Sequence, residues 1–178
     1  MSRRLLSDES GMTLIELLVA SIVLVIVMAG VSNMFVSGLR ASSDANARLA
    51  SQESVGAAFD RLEYEVRCAS SATLVGGGAG VALTLPSQCP HATGNVAWCV
   101  TGGSLERLAG ATDCVTGTAE TFVTSVTSAT PFACLTASGD LPRLQVSLTV
   151  DTTQSAADAT TAVDTIAMRN ATAGAGCS

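Results

Sequence analysis

Glu16 is the only ionisable side chain from Met12 to Val36, near the start of a long apolar run. An ionised carboxylate at the centre of a membrane helix costs about 2.5–3.5 kcal/mol, so one retained in such a run marks function and calls for a cationic partner. Immediately upstream, Ser10-Gly11-Met12-Thr13 places a glycine where a short polar stretch meets the apolar run. The second set of reactive residues is Cys68, Cys89, Cys99, Cys114, Cys134 and Cys177, all outside that run and even in number. In an exported domain this reads as a disulfide framework, for which six cysteines allow fifteen pairings. Pairing neighbours along the chain gives Cys68–Cys89, Cys99–Cys114 and Cys134–Cys177, each worth roughly 2–4 kcal/mol. A zinc site would have to use Cys89, His91 and Cys99, but there is no Cys-x-x-Cys pair and the spacing matches no zinc motif, so no metal is expected. His91, the sole histidine, has no Gly-x-Ser-x-Gly elbow to serve, and no catalytic site or cofactor is expected. Asp151, Asp158 and Asp164 lie in or beside an acidic loop that lacks the glycine and closing glutamate of a calcium-binding EF-hand.

The elements that must carry these residues follow from periodicity. Met12 to Val36 spans roughly 37 Å as a helix, enough to cross a bilayer. Arg3 and Arg4 precede it, which favours a cytoplasmic N-terminus with the remainder outside. Beyond the apolar run, Leu49, Gln52, Val55, Phe59, Leu62, Val66 and Ala69 recur at spacings of three and four, the pattern of an amphipathic helix. Asp44 with Arg48, and Glu63 with Arg67, are acid-to-base pairs four residues apart. One helix from Met12 to about Ser70 is expected, ended by Gly76-Gly77-Gly78-Ala79-Gly80. No Lys-Ser/Thr follows those glycines, so they do not read as a phosphate cradle. Strands are expected where Val81, Leu83 and Leu85 alternate with small or polar residues, at Val96, Trp98 and Val100, and at Ser104–Leu108 after the hairpin turn Gly102-Gly103. Further strands are expected around Phe122, Thr124 and Val126, at Leu144, Val146, Leu148 and Val150, and over Thr165–Arg169, with a loop over 152–163. The result is an α+β architecture: a long N-terminal helix, half membrane-embedded and half amphipathic, packed on an antiparallel sheet.

Composition narrows the class. The 178 residues allow one globular domain plus an anchor, and the net charge of −6 argues against direct nucleic-acid binding. Aromatic residues make up only 3% of the chain, leaving few large core anchors.

The Gly11-Met12-Thr13-Leu14-Ile15-Glu16 junction resembles the type IV pilin and pseudopilin superfamily, with Met12 where the family usually has phenylalanine. The resemblance implies that a prepilin peptidase cuts between Gly11 and Met12, that Met12 is N-methylated, and that Glu16 at the fifth mature position docks the subunit into a filament. It divides the chain into a leader, 1–11, which is removed; a transmembrane half-helix, 12–37; an amphipathic half-helix, 38–71; and a disulfide-stabilised head, 72–178. Partners would be the peptidase, other major and minor pilins through the N-terminal helix, and an inner-membrane assembly platform. The protein would be a single-pass membrane protein with its head outside, then part of an extracytoplasmic filament. Looser patterns are similar to W-like and J-like minor subunits: Arg61-Leu62-Glu63-Tyr64-Glu65-Val66-Arg67, the hairpin with Leu105-Glu106-Arg107, Leu144–Val150, and Ile166-Ala167-Met168-Arg169-Asn170. The expected role is a minor pilin or pseudopilin that initiates or caps a type IV pilus-like filament, whether of a pilus, a competence pilus or a type II secretion system. The alternatives are the major pilin, or a membrane-tethered extracellular binding domain that joins no filament.

Overall fold

The computed structural model describes residues 13–90, 93–135, 140–151, 159–172 and 177. The leader, Gly11, Met12, His91 and Asp158 lie outside the described residues. Helix α1 runs from Leu14 to Cys68, and the chain divides into two units, Met1–Ser43 and Asp44–Ser178.

In the first unit α1 carries the apolar run, and every residue from Thr13 to Ser43 is exposed. Leu14, Ile15, Val25, Ile26, Met34 and Phe35 are each about two-thirds exposed or more. A helix that is apolar all round is stable only inside protein or lipid, and this one is long and apolar enough to cross a membrane.

Among the described residues, the second unit is built from the rest of α1 and eight strands. β1 (Ser71–Val75), β2 (Gly80–Leu85), β3 (Gly94–Thr101), β4 (Ser104–Ala109) and β5 (Thr118–Val123) form an antiparallel sheet in chain order. β6 (Phe132–Leu135), β7 (Arg143–Val150) and β8 (Thr160–Ala167) form a second antiparallel sheet, also in chain order. The expected helix-on-antiparallel-sheet architecture is therefore present, with the strands divided between two sheets. Ala58, Leu62 and Val66 of α1 share one core with Val81, Leu83, Val96, Trp98 and Leu105 from the first sheet and Leu144, Val146, Leu148 and Ile166 from the second. The inward period of three and four on α1 thus meets an inward period of two on the strands.

Several boundaries differ from expectation. The helix ends at Cys68, and β1 intervenes before the glycines, which form the turn between β1 and β2 rather than the helix terminus. Leu49 and Gln52 are exposed, so the buried stripe begins at Val55. A bulge between Leu105 and Glu106 shifts the β4–β5 register, so the adjacent Phe122 and Val123 both reach the core; β5 ends there, Thr124 is exposed, and Val126 reaches the core from beyond the strand. β8 starts at Thr160, within the expected loop, because it is an edge strand whose inward positions include Ala162 and Asp164 and so carry little apolar signal. The Gly102-Gly103 hairpin is as expected: Thr101 pairs with Ser104, and both glycines have positive φ, +58° and +77°, as a type I′ turn demands.

Disulfides join Cys68 to Cys89, Cys99 to Cys114, and Cys134 to Cys177. The first ties the end of α1 to the loop after β2. The second holds the loop after β4 over the outer face of the first sheet, where Ala97, Cys99, Leu108 and Ala111 make a small separate cluster. In that loop Asp113, partly exposed, accepts hydrogen bonds from Thr116 N (2.8 Å) and Val115 N (3.0 Å) and from the Thr116 hydroxyl (2.8 Å). These bonds hold its carboxyl below the usual range.

Gly80 is the position that the second bridge requires. A Cβ there would fall 2.9 Å from Cys99 Sγ and would also collide with Cys114 Sγ. Gly80→Val is expected to leave Cys99 and Cys114 as free thiols and to cost about 3 kcal/mol, the worth of a bridge closing a loop of about fifteen residues. Alkylation of the unreduced protein followed by mass measurement checks this; full retention of the bridge would contradict it.

Candidate assembly helix and its buried anchor

Glu16 lies in the first turn of α1 and is exposed. Its backbone N–H donates to Thr13 O (3.0 Å), which starts the helix at the junction picked out by the sequence. A carboxylate in the first turn is favoured by the positive end of the helix dipole, a contribution of roughly 0.3–1 kcal/mol. Among the described residues Glu16 has no ion-pair partner, whereas the head holds ion pairs that include Arg61–Glu65, Glu63–Arg67 and Arg107–Glu65. The arrangement therefore presents one acidic group on an otherwise apolar, uncovered helical surface.

The head end of the same helix holds a polar centre that the sequence pattern does not reveal. Glu65 is completely buried. Its Oε2 accepts from Trp98 Nε1 at 2.8 Å, and its Oε1 accepts from Arg107 Nε and Arg61 Nε, each at 2.9 Å. Trp98 and Arg107 are cross-strand neighbours on β3 and β4, so the sheet register brings both donors to one point. The Trp98 ring also packs against Phe122, with centroids 4.9 Å apart. A buried charge persists only when paired and hydrogen-bonded, and here no buried side-chain polar atom among the described residues lacks a partner. These donors reach Glu65 at one rotation of α1 against the sheet, so the cluster fixes that rotation. The signal available in the sequence is that Glu65 lies three residues after Leu62 and seven after Ala58, on the core stripe.

The C-terminal segment completes the anchor. Asn170 Nδ2 donates to Cys68 O at 2.9 Å, and Arg169 N donates to Arg67 O at 3.2 Å, satisfying carbonyls at the helix end. Cys177 forms a bridge pair with Ala72 of β1, beside its disulfide to Cys134.

Cys89 and Cys99, the two thiols a zinc site would need, are each consumed in a different disulfide. Among the described residues no group of three or more His, Cys, Asp or Glu side chains could hold a metal. An apolar groove of about 270 Å³ lies between Ser51, Val55 and Phe59 of α1 and Leu148 and Val150 of β7, and none of its lining side chains titrates.

A family model described as the prokaryotic N-terminal methylation motif matches residues 6–32, which include Gly11, Met12 and Glu16. No curated protein and no solved structure matches the chain. The prepilin-type motif, followed by an exposed apolar helix and an α+β head, supports a membrane-anchored, type IV pilin-like protein.

Proposed function

We propose that this protein is a minor pilin or pseudopilin, a structural subunit that initiates or caps a type IV pilus-like filament and catalyses no reaction. The observation that carries the reading is the methylation motif leading directly into a helix whose apolar side chains are exposed on every side. Such a surface needs lipid before assembly and other helices after it. In this reading residues 1–11 are a cytoplasmic leader removed between Gly11 and Met12, Met12 is methylated, and residues 12–37 form the anchor. Glu16 pairs with the free amine of Met12, its own or a neighbour's, and so sets the register of the next subunit. Residues 38–71 join the anchor to the head, 72–178, outside the membrane. The partners are a prepilin peptidase, other pilins and an inner-membrane assembly platform.

Two features favour a minor over a repeating subunit. Many major pilins carry a proline within the long helix, and α1 has none. The head also carries three disulfides, and a tip subunit can leave such a cross-linked head open to partners, whereas a repeating subunit buries its head against copies of itself. Deleting the gene is expected to reduce filament number, or secretion or DNA uptake, while major pilin accumulates in the membrane. Quantitative proteomics of sheared filaments should find this chain far below the dominant subunit. Its recovery as the dominant component would make it the shaft; its absence from filaments, with no assembly defect on deletion, would favour a tethered binding domain.

A further inference from the structure

The second sheet ends at β8, and among the described residues no strand lies beyond it. The ladder between β7 and β8 has a definite phase. Its register sets Met168 opposite Pro142, and Met168 N donates to Pro142 O at 3.0 Å. Even-numbered residues of β8 therefore bond β7, and odd-numbered ones aim their N–H and C=O groups away from the sheet. At Thr165 that outward N–H is taken by Asp164 Oδ1 at 2.7 Å. An acidic side chain at an edge is one of the usual devices that stop another chain pairing there. The device covers only the end of the strand, and Thr161 and Val163 before it are exposed. Beneath that open half lies the apolar groove of about 270 Å³, to which Thr160 and Ala162 contribute. On its helical wall stands Gly56, where a Cβ would meet no atom within 4 Å. Glycine is the poorest residue for a helix interior after proline, and no packing within the chain calls for it there. The bare helix position, the groove and the open edge meet at one place. Acidic residues flank the lining ones on all three elements: Glu53 and Asp60 on α1, Asp151 after β7 and Asp164 on β8.

We propose that the edge of β8 at Thr161 and Val163 is a docking site for an extended segment of a partner protein with the pattern basic–x–apolar–x–apolar. The segment adds to the sheet as a further strand, antiparallel to β8 because that pairing is the more stable. Its main chain bonds the outward groups of Thr161 and Val163. Its alternate side chains fall on the inner face. The two aliphatic ones, opposite Ala162 and Thr160, enter the groove against Gly56 and Phe59. The basic one, opposite Asp164, meets the second carboxylate oxygen and the acidic rim. The site belongs to the head alone and holds whether or not α1 enters a filament.

The test uses the full chain in lipid nanodiscs, with the labelled peptide Thr-Arg-Thr-Val-Thr-Val-Thr as probe and fluorescence anisotropy as readout. The peptide should bind saturably. Replacing its arginine by glutamate, or both valines by serine, should weaken binding at least tenfold. Gly56→Leu fills the groove and Val163→Pro removes an outward N–H that the ladder does not use, so each should also weaken binding at least tenfold. Both variants should keep the natural urea midpoint, followed by Trp98 fluorescence, which separates loss of the site from loss of the fold. Asp164→Arg should reverse the preference, so that the glutamate peptide binds more tightly than the arginine one. No saturable binding at about 1 mM peptide overturns the proposal, as does equal binding of all three peptides. Binding that Gly56→Leu abolishes and Val163→Pro leaves intact makes the groove a pocket for an apolar ligand and overturns the added strand. A two-chain species in light scattering that Val163→Pro returns to one chain makes the occupant a second copy and overturns the partner assignment.

Discussion

Glu65→Ala is expected to destabilise the head by about 3–5 kcal/mol, the usual cost of removing one partner from a buried ion pair. The substitution leaves the Arg107 guanidinium, whose side chain is only 10% exposed, without its carboxylate, and leaves the Trp98 indole N–H unsatisfied in the core. Against a typical domain stability of about 5–15 kcal/mol, that loss is enough to populate unfolded head. Trp98→Phe keeps most of the ring packing and removes one donor, so it should cost much less, about 1–2 kcal/mol. Trp98 is the only tryptophan in the chain and its indole contacts Glu65, so its fluorescence reports this cluster directly. Urea unfolding of the full chain in detergent should show a lower midpoint with an unchanged slope for Glu65→Ala. A shift below about 0.5 kcal/mol, the range of ordinary surface substitutions, would show that the cluster does not hold α1 to the sheet.

Glu16→Ala is expected to insert and be cleaved normally, yet to join filaments about 100-fold less well. In an assembled helix bundle the lipid is gone but the surroundings remain apolar. The amine of Met12 left without its counter-charge then faces a penalty comparable to that of a charged side chain in a membrane helix, about 2.5–3.5 kcal/mol. In the proposed assembly the pair would act on register more than on net stability, because its desolvation cost offsets much of its attraction. The readout is the ratio of filament-associated to membrane-associated protein after shearing. Unchanged incorporation of Glu16→Ala would remove the assembly role from this residue.

Local pattern made most of this architecture legible. The apolar run is identified by its length and composition alone, while the stripe from Val55 to Val66 and the alternation in β2 and β7 each bury one face more than the other, so period identifies them. β3 is buried on both faces, and there Val96, Trp98 and Val100 carry the signal. The elements that were not legible are short or polar. β1 is five residues long and follows the helix almost directly, β6 has four residues, and β8 is a threonine-rich edge strand. The bulge at Phe122 breaks the period of two and hides the end of β5. Glu65 was hidden for a different reason. It sits among Arg61, Glu63 and Arg67, where charge on a helix end reads as solvent-facing, while the donors that make its burial tolerable lie 33 and 42 residues away on two strands. Long-range polar complementarity leaves no trace in a local window. Glu16 is the reverse case: its meaning comes from the glycine just before the apolar run, so sequence alone picks it out.

The most direct test of a pilin-like identity is N-terminal mass spectrometry of the membrane-extracted protein. The predicted result is a mature chain beginning Met12-Thr13-Leu14-Ile15-Glu16 with a methylated amine, and Gly11→Val should block that cleavage because any side chain before the cut crowds the peptidase pocket. Intact Met1 on the mature protein, or Gly11→Val processed as efficiently as the natural sequence, would contradict it.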